Sequence, residues 1–429
     1  MIAPMNRALF LAFAPAILLT TLLTSLFTTR AHGQNAPASS DTTLIKEALD
    51  DYDKRLRYTI LIDPFALYSR TFGFGIAAHF TSYNLLWAGS RWRVSARPAQ
   101  RRGIYTLSLR THDPDETNIY GLLHTTLETN NAYRYYGIGQ STNFDNLVMV
   151  NKDYSEVMAR LGFDFLDDHL TIQPLVGYLW NKAGIDGTID STFVDLDKRS
   201  QEALLYAIGL PVPGARQPGD IHQGVRFGTE LAVDFRDRRA YPRSGGLLRG
   251  RWERYQSTTD QDVVFDRFDA SVHGYIKTFP SHVLAIRALV QTTENRGSAP
   301  IPFYLYPKFD FTVLGGYRNQ RHINADLVNV SAEYRWPLLN LVDLYQVSTS
   351  IGVGVAGVYD DFLKDFEFDL SFDRDPIPGT NALRPGLGVG LRVSGLEQQV
   401  DYIQWQLGFG PEGFTLVAFK FVLEIGEIR

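Results

Sequence analysis

From about residue 72 to residue 423 the dominant spacing of apolar positions is two. Val225, Phe227, Thr229, Leu231, Val233 and Phe235 share one face of a segment whose other face is Arg226, Gly228, Glu230, Ala232, Asp234 and Arg236. The same split recurs at Val157, Ala159, Leu161, Phe163 and Phe165 against Glu156, Met158, Arg160, Gly162 and Asp164. It recurs again at Val328, Val330, Ala332, Tyr334 and Trp336 against Asn329, Ser331, Glu333 and Arg335, and at Leu387, Val389, Leu391 and Val393 against Gly388, Gly390, Arg392 and Ser394. Alternation of this kind predicts strands with two unlike faces, and runs of about 10 to 14 residues are roughly twice the usual globular length. The polar faces carry charge in mid-strand: Arg91, Arg93 and Arg97; Arg249, Arg251 and Glu253; Arg267, Asp269, His273 and Lys277. A soluble sandwich would turn such a face to water, whereas a membrane barrel would turn it to a wet lumen and its apolar face to lipid.

Fifteen segments fit this description, near 71–82, 89–98, 103–112, 118–129, 154–166, 170–181, 223–236, 246–256, 266–278, 283–293, 327–337, 346–358, 386–394, 400–409 and 414–423. A bacterial barrel needs an even number, and the apolar stretch within 200–212 is the expected sixteenth strand. Long connections at 183–199, 295–325 and 359–382 contrast with short turns near 167–169 and 279–281. Unequal rims of this kind are those of an outer-membrane barrel. The expected fold is therefore all-β, a transmembrane antiparallel β-barrel of about 16 strands, favoured over the sandwich by strand length and by the lack of helical crossovers.

The N-terminus bears on the compartment. Residues 9–27 are apolar or small, Arg7 precedes them, and Ala31-His32-Gly33 follows as a small-x-small tripeptide. This reads as a signal peptide over 1–33, with an uncleaved anchor as the competing reading; export follows from either. Residues 34–66 are expected to form a short periplasmic segment, with one helical stretch at 43–49, and 67–429 the barrel. Mean hydropathy is -0.14, and past the first thirty residues no apolar run reaches about 18, so a helical membrane protein is excluded. The 429 residues include no Cys, which removes disulfides, thiolate metal sites and Cys nucleophiles. A net charge of -5 gives no nucleic-acid footprint.

Two stretches carry more than composition. One is Asp234, Arg236, Asp237, Tyr241, Pro242 and Gly245 in a strand–turn–strand setting. The other is Leu314-Gly315-Gly316-Tyr317-Arg318, followed by a strand holding Glu333, Arg335 and Pro337. With Tyr136-Gly137-Ile138-Gly139-Gln140 as a weaker third match, the chain resembles the bacterial surface-antigen superfamily of outer-membrane assembly barrels, BamA and TamA among them. The resemblance spans about residues 70 to 424. It implies a D-x-R-D-x-x-x-Y-P-x-x-G turn, an inward-folded loop bearing (L/V)-R-G-(F/Y), and a next strand x-x-x-E-(Y/F)-R-x-P-L. The family's loop arginine falls on Gly315, and its acidic partner on a later strand falls on Val355, so both charges are absent together. Losing only one would leave a buried charge unpaired, at about 3 to 5 kcal/mol. The loop is then expected to be held by Tyr317 packing and by Arg318 with Glu333 or Asp326. The periplasmic POTRA domains usual in assembly barrels have no room before residue 70, so the resemblance is to the branch lacking them. The usual terminal aromatic is matched by Phe419 or Phe421, short of the end.

The resemblance implies a mechanism at the seam between first and last strands, here placed at Gly73 and Gly75 against Phe414 and Phe419. A weakly paired seam can template a client strand and perturb the bilayer. The implied role is assistance in protein insertion or secretion, or lipid handling; a passive porin-like channel and a surface-exposed binding barrel are the alternatives. Implied partners are outer-membrane lipid and lipopolysaccharide, then client proteins or periplasmic partners, at the bacterial outer membrane. No cofactor, metal or enzymatic activity is expected. The G-x-G-x-x-G at 352–357 lies within an alternating strand, where small residues fit a barrel wall, and the nine His include no pair at ligand spacing. The acidic stretch 360–375 reads as a solvated loop, with cation bridging to lipopolysaccharide phosphates as the functional alternative. The basic cluster Arg236, Arg238, Arg239 and Arg243 reads as ion-pairing with Asp234 and Asp237, or as a contact to anionic headgroups or a partner.

Overall fold

The computed structural model describes residues 60–422 except 70–72, 84–89, 100–101, 112–117, 141, 143–147, 167–168, 185–220, 238–241, 260–261, 310–313, 318–319, 342–344, 376–379 and 396–401. Its strands are β1 (Ile60–Ser69), β2 (Gly73–Tyr83), β3 (Arg91–Ala99), β4 (Arg102–Arg110), β5 (Ile119–Tyr135), β6 (Val148–Phe165), β7 (Leu170–Gly184), β8 (Ile221–Asp234), β9 (Gly245–Ser257), β10 (Val264–Phe279), β11 (His282–Asn295), β12 (Lys308–Phe309), β13 (His322–Ile323), β14 (Asp326–Leu341), β15 (Tyr345–Tyr359), β16 (Arg384–Gly395), β17 (Tyr402–Gly410) and β18 (Gly413–Val422). Sixteen of them form one sheet in chain order, β1 to β11 and then β14 to β18, with every pairing antiparallel. β12 and β13 pair separately, inside the connection from β11 to β14. Among the described residues no ladder joins β1 to β18.

The count of sixteen is reached without 200–212, which lies outside the described residues. The sixteenth strand is β1, and it straddles the expected 66/67 boundary, so the barrel begins earlier than residue 67. Sequence periodicity passes over it because Ile60-Leu61-Ile62 is a continuous apolar run and Pro64 follows. Pro cannot donate to a ladder and is tolerated on an edge strand, which is where Pro64 sits. Gly73 and Gly75 consequently lie on β2, a strand with β1 on one side and β3 on the other, and not on the edge strand at the seam. The signal peptide and the helical stretch at 43–49 lie outside the described residues.

The two faces divide as the alternation demands. Val157, Leu161 and Phe165 on β6, Phe227 and Leu231 on β8, and Phe268, Val272 and Ile276 on β10 are exposed outward. Their neighbours Glu156, Asp164, Glu230, Glu253 and Asn329 are buried on the inward face. Three successive descending strands end in an exposed Phe: Phe165, Phe235 just past β8, and Phe279. Inside, charges neutralise one another across strands: Arg226 pairs with Glu156 and, at 3.5 Å, with Glu253. Glu253 also takes Arg267 at 3.6 Å, and Glu230 takes Arg249 at 3.1 Å and Arg160 at 3.6 Å. Arg251 pairs with Asp269. Buried carboxylates stay charged only when matched in this way.

The parity of the strands also fixes the rims. β6, β8, β10, β14 and β16 end at one rim, that of the short turns, and β7, β11 and β15, which precede the long connections, end at the other.

Candidate inward loop and its dock

The described residues of 296–325 turn into the barrel, and those from Leu314 to Tyr317 lie on a patch of wall stripped of side chains. The inward positions there are Gly354 on β15, Gly386 and Gly388 on β16, and Gly408 on β17. A Cβ on Gly386 would stand 2.6 Å from Leu314 Cγ, and one on Gly316 would overlap the backbone of Phe409 and Gly410. Gly316 also has φ +91°, a left-handed conformation that other residues rarely adopt. Backbone thus meets backbone. The Tyr317 hydroxyl donates to the Pro385 carbonyl at 2.7 Å. Leu314, Tyr317 and Phe309 close an apolar cluster with Leu289, Leu327, Ala356 and Val358.

Arg321 fastens the loop from the other side. Its side chain has no exposed surface, and its guanidinium pairs with Glu412, whose side chain is also buried, in the turn between β17 and β18, and lies 3.8 Å from Asp375. It lies 4.8 Å over the Tyr136 ring and donates to the Thr142 hydroxyl and, at 2.8 Å, to the Thr142 carbonyl. The motif 136–140 joins the same junction: Gly139 N–H donates to the Ile323 carbonyl at 2.8 Å, and the Gln140 side-chain oxygen accepts from Val358 N–H at 2.7 Å. His322 stacks on Phe309 at 4.6 Å. Burial, followed by the Arg321 and Arg384 charges, holds His322 well below its ordinary pKa, so it is neutral. Burial also raises the Tyr317 phenol, which stays protonated and able to donate.

The first half of the loop packs on the inward face of β5 to β10. Phe303 meets Tyr135 at 4.5 Å, Ile301 joins Leu179, Tyr255, Val263 and Phe265, and the Leu305 carbonyl accepts from Arg267.

The other expected residues divide. Arg318 and Tyr241 lie outside the described residues. The Glu333 carboxylate takes Arg335 at 2.7 Å and Arg392 at 3.6 Å. Asp326 accepts from Phe362 N–H at 2.7 Å. Val355 faces outward, one residue out of phase with any wall position that could meet the loop, and Gly315 rests on Gly408 and the Leu387 carbonyl. Pro337 marks a bulge in β14. The Asp234 motif is a turn-closing device at the short-turn rim. Asp234 accepts from the Arg236 guanidinium at 2.8 and 2.9 Å, and Asp237 accepts from the backbone N–H groups of Arg243 and Ser244 at 2.9 and 3.1 Å. Pro242 is buried and Gly245 leaves the turn at φ +92°. Phe414 lies exposed on β18 with its ring 5.4 Å from that of Phe409, and the side chain of Phe419 is outside the described set. Arg321, Glu412 and Thr142 are the functional residues sequence reasoning misses. Their chemistry is visible only once the three segments meet.

Compared in three dimensions, the chain is similar to BamA from Haemophilus ducreyi lacking POTRA domains 1-3, with TM-score 0.55, 15% identity, and coverage of 88% of this chain and 77% of that one. It is similar to CdiB from Escherichia coli with TM-score 0.54, 11% identity, and coverage of 83% of this chain and 61% of that one, about three fifths of CdiB. The fold is that of an outer-membrane β-barrel of the BamA and CdiB type. No protein-family model and no curated protein matches the sequence.

Proposed function

We propose that the protein resides in a bacterial outer membrane and assists insertion or secretion of proteins, or handles lipid, through the seam between β1 and β18. The observation that carries this reading is the inward loop fixed by Arg321 to Glu412, in the turn leading into the last strand. A loop so placed ties the lumen to one side of the seam. The membrane part is supported by the outward apolar band. On β10 it runs from Phe268 to Ile276, about 27 Å along the strand and roughly 20 Å high at a 35–45° tilt. The exposed Phe165, Phe235 and Phe279 form an aromatic girdle at its lower edge. The loop's packing on β5 to β10 and on β15 to β17 argues against an open porin-like channel.

A cysteine-free chain makes the test direct. Single cysteines are scanned along β1 against β18 until a disulfide forms, and outer-membrane fractions are compared by quantitative proteomics for wild type, deletion and locked barrel. The expected result is that locking depletes the same barrels or secreted proteins as deletion. An unchanged proteome in both strains would overturn the assembly role, and loss on deletion but not on locking would overturn the seam.

A further inference from the structure

Behind the glycine dock, the outer surface of the same wall is hollowed. Ile286, Ala332, Val353, Leu387 and Phe409 stand in direct register across β11, β14, β15, β16 and β17. They floor an apolar groove of about 710 Å³ that Phe372 overhangs from the connection between β15 and β16. Ala332, the smallest of the five, forms the trough. The row crosses four strand intervals, about 19 Å at the usual spacing.

The overhang is built rather than loose. A helical turn, α1 (Phe362–Asp365), begins with Phe362 N–H bonded to Asp326, and the rings of Phe362 and Phe366 pack on Tyr359 at 5.5 and 6.0 Å. The following segment is tied to the approach to β16: Ser371 N–H donates to the Leu383 carbonyl at 2.9 Å, and Leu383 N–H to the Asp369 carbonyl at 2.7 Å. Between these anchors the chain alternates. Phe366, Phe368, Leu370 and Phe372 fall on one edge, and Glu367, Asp369 and Asp373 on the other. Phe368 is 87% exposed and Phe372 70% exposed. Large apolar side chains held out by a fixed backbone mark a surface meant to be covered.

We infer that this groove holds an acyl chain of an outer-leaflet lipid, with Phe372 as its roof and the edge from Phe366 to Phe372 lying at the membrane interface. The occupant follows from position. The floor is continuous with the outward band of Val330, Val353, Leu387 and Val389, all exposed, and the groove lies toward the long-loop rim, with Pro411 of the last long-rim turn in its lining. The acidic edge disfavours burial against a protein and suits the water side of an interface. A tail in this groove is separated from Leu314 and Gly315 only by the backbone of Gly354 and Gly386. Lipid outside and loop inside therefore press on one thin wall.

The inference rests on the membrane placement proposed above, and the test separates the two. Single-cysteine variants Phe368→Cys, Phe372→Cys, Asp369→Cys, Asp373→Cys and Ile276→Cys of the full chain are labelled with an environment-sensitive fluorophore. They are reconstituted in phosphatidylcholine vesicles carrying a nitroxide high on the acyl chain. Quenching at positions 368 and 372 is expected to exceed that at 369 and 373 by about threefold or more. If 276 is quenched but 372 no more than 373, the lipid site is overturned while the membrane placement stands. If 276 is not quenched, both fall. Native mass spectrometry with added phosphatidylglycerol completes it: wild type is expected to retain one lipid that Ala332→Trp and Phe372→Ser lose. Equal retention by Phe372→Ser, which leaves the wall untouched, and by a folded Ala332→Trp would overturn the groove.

Discussion

Glu412 has no exposed side-chain surface, and the Arg321 guanidinium is its charge partner. Arg321→Ala leaves that carboxylate buried and is expected to weaken loop docking by about 3 to 5 kcal/mol, read as faster hydrogen exchange at 314–325. Pairing it with Glu412→Gln should restore part of the loss, since the orphaned charge goes too. His322 adds a pH dependence. The docked loop holds it neutral beside Arg321, Arg384, Glu412 and Tyr317, while a released loop would take up a proton near its ordinary 6.5. Protons therefore favour release: docking is at full strength above about 6.5 and weakens as pH falls below it. Exchange at 314–325 measured at pH 7.5 and pH 5 should show this, and His322→Phe should flatten it. At this scale the sequence was partly legible. Leu314-Gly315-Gly316-Tyr317 was singled out by its resemblance to a family's loop motif, whereas nothing local separates Arg321 from Arg318 as the anchoring cation.

Among elements, the inward loop depends on the missing side chains of its dock. Gly386→Val would drive a branched side chain into Leu314 and the Gly315 carbonyl. The expected outcome is a displaced loop and a several-fold rise in single-channel conductance, with strand content unchanged by circular dichroism. The turn after β8 offers a local contrast. Asp237→Ala removes two acceptor contacts to Arg243 and Ser244 and is expected to cost about 1 to 2 kcal/mol in urea unfolding, without altering conductance. The strands were legible from β2 onward because a wall with lipid on one side and charge on the other writes a period of two into the chain. β1 was not, because an edge strand with Pro64 has no such constraint over its whole length. The acidic partner of the loop was expected on β14, at Glu333 or Asp326; Glu412 lies in a turn, where no periodicity marks it.

For the whole molecule, the sixteen-stranded sheet encloses a lumen whose charges are matched across neighbouring strands and whose long-rim half is occupied by 296–325. Deleting 300–322 should leave those strands paired and yield a large, steady conductance, checked in planar bilayers against the wild type. The reach of Arg321 has a temporal meaning as well. It joins Thr142, 179 positions earlier in the chain, to Glu412, which enters only with the closing hairpin. Contacts so distant along the chain form late. Until β17 and β18 are in place the guanidinium lacks its buried carboxylate, Glu412, and has only the more exposed Asp375, 3.8 Å away, as an acidic neighbour, so the loop seats fully only on a finished barrel. During refolding, full protection of Arg321 from trypsin is expected to appear after the strands are protected, and to be reduced in a chain truncated before Glu412.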